Sequence, residues 1–98
     1  MGAFVYILRC GDDSFYIGTT RDTLERRVAE HDDGTFGGYT ASRRPVALAY
    51  FEYFERIEDA ISSERRLKGW SRAKKQALVG GDMSALRMLA RRQSGFSG

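Results

Sequence analysis

The sequence predicts an α/β sandwich, a small three-stranded antiparallel sheet flanked by helices in the order ββαβααα. Three observations carry this. Two short aromatic and β-branched runs, Phe4 to Leu8 and Phe15 to Thr19, bracket the turn cluster Gly11-Asp12-Asp13-Ser14 and so read as a hairpin. A third apolar run, Val46 to Phe54, follows Pro45. The segments after Thr20 and after Phe54 carry apolar residues at helical rather than strand spacing, punctuated by glycine.

Taken in order, residues 3–10 form the first strand and 15–19 the second. A helix over 22–32 is capped by Asp22 or Thr20, and Asp32-Asp33-Gly34 ends it. Residues 33–44 are a Gly-rich loop carrying Tyr39, Arg43 and Arg44. The strand from Val46 to Phe54 is apolar enough on both sides to be buried on both faces. A helix follows from Glu58 to Lys68 and stops at Gly69; Ser71 caps another that runs to Gly80-Gly81, and Asp82 caps a last one through Arg92. Residues 1–92 make one domain and 93–98 a flexible tail.

With 98 residues, 42% of them hydrophobic, the chain supports a globular fold with a thin core. No run spans a bilayer and no signal peptide is visible, so a cytoplasmic protein without membrane attachment is expected. The single cysteine, Cys10, fits a reducing compartment and reads as a small apolar filler at a strand end. With one cysteine and one histidine, the usual zinc ligand sets are absent. The net charge of +3 is unevenly spread: residues 1–63 hold 7 Arg/Lys against 11 Asp/Glu, and residues 64–98 hold 9 against 2. That basic third is either a solvated helical surface or a polyanion-binding one.

On the helix over 22–32, Leu24, Val28 and His31 share one stripe, with Arg27 at its edge one turn before His31. Singly, His31 reads as a satisfied histidine at a helix end and Arg27 as a solvated arginine; together they put two polar groups on the border of the packing face. On the next helix Ile57, Ala60, Ile61 and Leu67 form the apolar stripe, and Glu64 falls inside it. A carboxylate there requires a partner: a buried salt bridge, for instance with Arg27, or a divalent cation. Tyr6 and Tyr16 share a strand face if the hairpin register brings them together, with Gly18 leaving backbone exposed beside them. Trp70 reads as a core residue between two helices.

The ordered set Val5-Tyr6, Tyr16-Ile17-Gly18, Arg27 with His31, and Glu64 resembles the GIY-YIG nuclease domain, a family that includes homing endonucleases and the amino-terminal domain of a DNA-repair excinuclease. Tyr16 through His31 looks like the signature strand and helix, and Glu64 through Lys75 resembles the later segment of small stand-alone bacterial members, so the likeness covers residues 3–80. The first motif reads Phe4-Val5-Tyr6, with the tyrosine kept. Many members carry a late asparagine, and this sequence contains none.

The resemblance implies a GIY-YIG fold and a metal-dependent endonuclease acting on nucleic acid, DNA rather than RNA, with a place in DNA repair. It implies one divalent cation, Mg²⁺ or Mn²⁺, held by Glu64. It assigns Tyr6 as general base or water-positioning group, Tyr16 and His31 as its assistants, and Arg27 as the group neutralising the scissile phosphate. Arg43, Arg44, Lys68, Arg72, Lys74 and Lys75 are the expected nucleic-acid contacts. The alternatives are a non-catalytic nucleic-acid-binding module and a structural interaction domain on the same fold.

Overall fold

A computed structural model describes residues 2–34 and 38–88. They fall into two compact units, which divide between Lys68 and Gly69. The first holds β1 (Ala3–Arg9), β2 (Phe15–Thr20), α1 (Leu24–Asp32), the one-turn α2 (Gly38–Ala41), β3 (Ala47–Phe54) and α3 (Ile57–Lys68); the second holds α4 (Arg72–Gly80). Residues 83–88 are also helical. Apart from α2, which falls in the expected loop, the elements follow the order ββαβααα. No helix among the described residues is long and apolar enough to cross a membrane.

The sheet order is β2-β1-β3, all antiparallel, with a register irregularity between Ile7 and Leu8. β1 is therefore central, and both its faces are covered. Phe4, Tyr6, Leu8 and Cys10 point one way, where Tyr6, Leu8, Cys10, Leu24 and Val46 form a core against which Tyr16 and Val28 pack. Ala3, Val5 and Ile7 point the other way and are fully buried. The hairpin turn is fixed by Asp12, whose carboxylate accepts from the Ser14 N–H, and by the Asp13 N–H bonding to the Cys10 carbonyl at 2.9 Å.

β3 departs from expectation. It is an edge strand and largely exposed, not buried on both faces. Its apolar residues are mostly large aromatics, which find partners sideways: Phe51 and Tyr53 meet Phe4 edge-to-face at 6.1 and 5.3 Å while remaining half exposed.

α1 is capped by Thr23, whose side chain accepts from the Arg26 N–H, rather than by Asp22 or Thr20. Thr20 is instead turned inward and accepts from the Asp22 N–H. On α3 the buried residues are Ala60, Ser63 and Leu67, with Ile61 exposed, so the packing stripe is rotated from the expected one and Glu64 sits at its border. The small Ser63 lets α3 approach the sheet, which the apolar pattern alone does not register. In the second unit Ser71 caps α4, and Gly81, in the left-handed conformation at φ 72°, closes it. Asp82 caps the next helix through the Ala85 N–H. Its expected end at Arg92, and the tail, lie outside the described residues.

Candidate active site

The β1–β2 register pairs Tyr6 with Gly18 and Leu8 with Tyr16. The two phenols thus share a face but are diagonal, with ring centroids 6.5 Å apart. Gly18 does not leave open backbone. It is buried, and the Tyr6 ring lies over it: a Cβ there would come within 2.5 Å of the Tyr6 hydroxyl oxygen and 2.6 Å of Cζ.

The last turn of α1 delivers His31 to the same place. Its Nε2 is 3.0 Å from the Tyr6 hydroxyl, and its Nδ1 is 2.9 Å from Oγ1 of Thr40 on α2. Tyr16 stacks obliquely on the imidazole at 4.9 Å, and Tyr39 follows Tyr16 at 6.1 Å. A row of rings therefore runs from the buried Tyr6 out to the exposed Tyr39, which the Arg43 guanidinium covers at 3.9 Å. The sequence pattern does not place Tyr39 or Thr40 here. A one-turn helix brings them in, and Thr40 carries no sequence signal beyond being a small polar residue.

Burial pushes the Tyr6 hydroxyl up to about 12, and Tyr16 adds to the rise; Arg27 pulls it down, while Glu64 and Glu30 push it up. Arg27 thus opposes burial but does not overcome it. The His31 imidazole is held below its ordinary 6.5 by burial and then by Arg27, with Glu30 opposing. A neutral imidazole therefore faces a protonated phenol at neutral pH.

The depressed imidazole makes stability depend on pH. An unfolded His31 takes up a proton near pH 6.5, whereas the folded one takes it up at lower pH. The contribution of His31 is complete above pH 6.5 and is lost as pH falls towards its folded value. Urea midpoints measured between about pH 5 and pH 7.5 should fall with acidity, less steeply in His31→Gln. Identical slopes for the two proteins would refute a depressed imidazole.

Arg27 lies half-buried on α1, its Nε 3.8 Å from Glu30. Glu64 comes from the other side of β2. By strand parity Thr19 points away from Tyr6, and its hydroxyl donates to Oε1 of Glu64, while Lys68 Nζ is 2.7 Å from Oε2. The partners of Glu64 are thus Thr19 and Lys68 rather than Arg27. Burial raises its carboxyl, but the hydrogen bonds from Lys68 and Thr19 outweigh this and hold it below the usual range. Its charge is felt at the Tyr6 hydroxyl from across the edge strand.

A model of the GIY-YIG catalytic domain matches residues 2–77. The chain belongs to the GIY-YIG family. A UPF0213 protein of Haloquadratum walsbyi is 47% identical over 76 residues, covering 78% of this chain and 84% of its own. One from Clostridium perfringens is 43% identical over 76 residues, covering 78% and 81%. Two solution NMR structures are similar. A UPF0213 protein from Bacillus halodurans has a TM-score of 0.54 at 40% identity, covering 82% of this chain and 84% of its own. A protein from E. faecalis has a TM-score of 0.57 at 36% identity, covering 85% and 88%.

Within this GIY-YIG domain, no group of three or more His, Cys, Asp or Glu among the described residues forms a metal cage. What Glu64 and Thr19 present is a hard, all-oxygen set with one ionised carboxylate. Such a donor set would suit a hard cation such as Mg²⁺ or Mn²⁺ in place of the Lys68 ammonium, which lies 2.7 Å from Oε2. The basic candidates divide. Arg43 is a brace, its Nε donating to Asp12 at 3.1 Å and its Nη1 to the Tyr39 carbonyl at 3.0 Å. Arg44 is exposed, with its Nε donating to the Ala41 carbonyl, and Lys68 holds Glu64. In the second unit, Lys74 is buried with its ammonium 4.1 Å from the Trp70 ring centre, while Arg72 is exposed and Lys75 and Trp70 are half-buried.

Proposed function

We propose that this protein is a divalent-metal-dependent endonuclease that hydrolyses phosphodiester bonds in nucleic acid, DNA in preference to RNA. The observation that carries this reading is the Tyr6 hydroxyl, hydrogen-bonded to a neutral imidazole and within the electrostatic reach of Arg27 and, across the edge strand, of Glu64. A phenol held near 12 is a poor base by itself. Beside His31 it has an outlet: as water attacks phosphorus, the proton leaving the water passes to the Tyr6 oxygen while the Tyr6 proton moves to Nε2 of His31. The new P–O bond forms as the P–O bond to the leaving oxygen breaks. Arg27 offsets the negative charge that builds on the phosphoryl oxygens. Tyr16 packs against the imidazole and limits its rotation. A cation on Glu64, when bound, adds Lewis-acid stabilisation of the same charge.

The decisive experiment is a cleavage assay on branched, single-stranded and duplex DNA and RNA, with and without Mg²⁺ or Mn²⁺. Metal-dependent strand scission that prefers DNA is expected; no scission of any substrate with either metal would overturn the reading. Binding should rest on phosphate contacts from the basic third, so affinity should fall steeply with salt and vary little with base sequence. Titration at three salt concentrations reads this directly, and a flat salt response would contradict it.

A further inference from the structure

We infer that Thr40 is a positioning residue that fixes which nitrogen of His31 carries the proton, and so keeps Nε2 unprotonated to accept from Tyr6. The inference rests on the nuclease reading above for its consequence in catalysis, but the placement itself does not.

A neutral imidazole has one N–H and one lone pair. His31 lies between two hydroxyls, Tyr6 at 3.0 Å from Nε2 and Thr40 at 2.9 Å from Nδ1. A phenol, with an ordinary pKa of about 10, is a far better donor than an alkyl hydroxyl and its oxygen a poorer acceptor. The stronger pair of bonds is therefore Tyr6 O–H to Nε2 and Nδ1–H to Thr40 Oγ1. The opposite tautomer would reverse both bonds, with Nε2–H donating to the weakly accepting phenol oxygen and the Thr40 hydroxyl donating to Nδ1, and would leave no lone pair on Nε2 to take the Tyr6 proton. Thr40 is 2% exposed and His31 4% exposed, so water does not readily replace the threonine oxygen. When His31 takes the second proton, Nδ1–H stays bonded to Oγ1, and Thr40 steadies the imidazolium it has oriented.

The test uses the fact that His31 is the only histidine. In ¹⁵N-labelled protein its two ring nitrogens are read without ambiguity by long-range ¹H–¹⁵N correlation above the imidazole pKa. The wild-type spectrum should show a protonated Nδ1 and an unprotonated Nε2. Thr40→Val should lose that preference and Thr40→Ser should keep it. In cleavage, Thr40→Val should lower kcat by roughly 10- to 100-fold with little change in KM, reaching the lower end of what a general base contributes; Thr40→Ser should restore it. A wild-type spectrum with Nε2 protonated would overturn the inference without needing any variant, as would an unchanged tautomer in Thr40→Val. If the wild type cuts nothing yet the tautomers respond as described, the nuclease reading falls and the positioning role stands.

Discussion

Glu64→Gln and Arg27→Ala should each lower the cleavage rate on the order of 100- to 1000-fold while leaving most of the nucleic-acid affinity in place. Binding and turnover draw on different groups. On the proposed function affinity would come from many spread cations, so loss of one central group should cost little of it. On the proposed mechanism Glu64 and Arg27 would meet charge that develops only in the transition state, so their loss should appear in turnover. Glutamine is the informative replacement at position 64. It keeps an oxygen for the Thr19 hydroxyl and removes the charge that Lys68 and a cation would share. The Glu64–Lys68 pair spans one helical turn with Lys68 exposed, so its loss should cost well under about 1 kcal/mol of stability. Tyr6→Phe should behave like the other two, since the ring over Gly18 remains and only the hydroxyl facing His31 is removed. Melting, binding and cleavage measured side by side decide the matter. Variants that melt early but cut normally would make the cluster a scaffold and overturn the catalytic assignment of these residues.

Much of this site is legible in the sequence because periodicity reports faces. Equal parity of Tyr6, Tyr16 and Gly18 puts them on one side of a hairpin, and the spacing of Arg27 and His31 puts both on one helical border. What periodicity does not report is which face a neighbouring element covers. The apolar pattern sets Glu64 inside the packing stripe of its helix; α3 instead packs through Ala60, Ser63 and Leu67, and Glu64 at the border meets β2 through Thr19, on the face away from Tyr6. β3 reads as a doubly buried strand because its residues are apolar. Its place at the sheet edge, which composition does not encode, leaves Phe51 and Tyr53 half exposed. Thr40 is invisible for a related reason. Its value lies in one tertiary contact to Nδ1 of His31, made by a one-turn helix inside a Gly-rich segment. Tyr6 shows the limit in electrostatics: spacing suggests a nearby arginine, but not that burial outweighs it.

Gly18→Ala should be the most damaging single-methyl change in the sheet, costing about 1–3 kcal/mol and lowering Tm on the order of 10 °C. Gly18 is not held by an unusual backbone angle; the constraint is space. An added Cβ would lie 2.5 Å from the Tyr6 hydroxyl oxygen, 2.6 Å from Cζ and 3.2 Å from a Tyr16 ring carbon. Contacts that short cannot persist, so something must move. Tyr6 is 2% exposed and tied to His31, so its ring cannot swing into solvent as a surface side chain would. Displacing it stretches the bond to Nε2, and through His31 the bond to Thr40 as well. Gly18→Ala should therefore lose cleavage and disturb the His31 ring-nitrogen signals as well as stability. The mechanism is checked by a double-variant cycle with Tyr6→Leu, which shortens the side chain over position 18. In that background the alanine should cost much less than in the wild type. If alanine costs the same with and without the tyrosine ring, the damage comes from the strand itself, and the claim that Tyr6 fills the space over Gly18 fails.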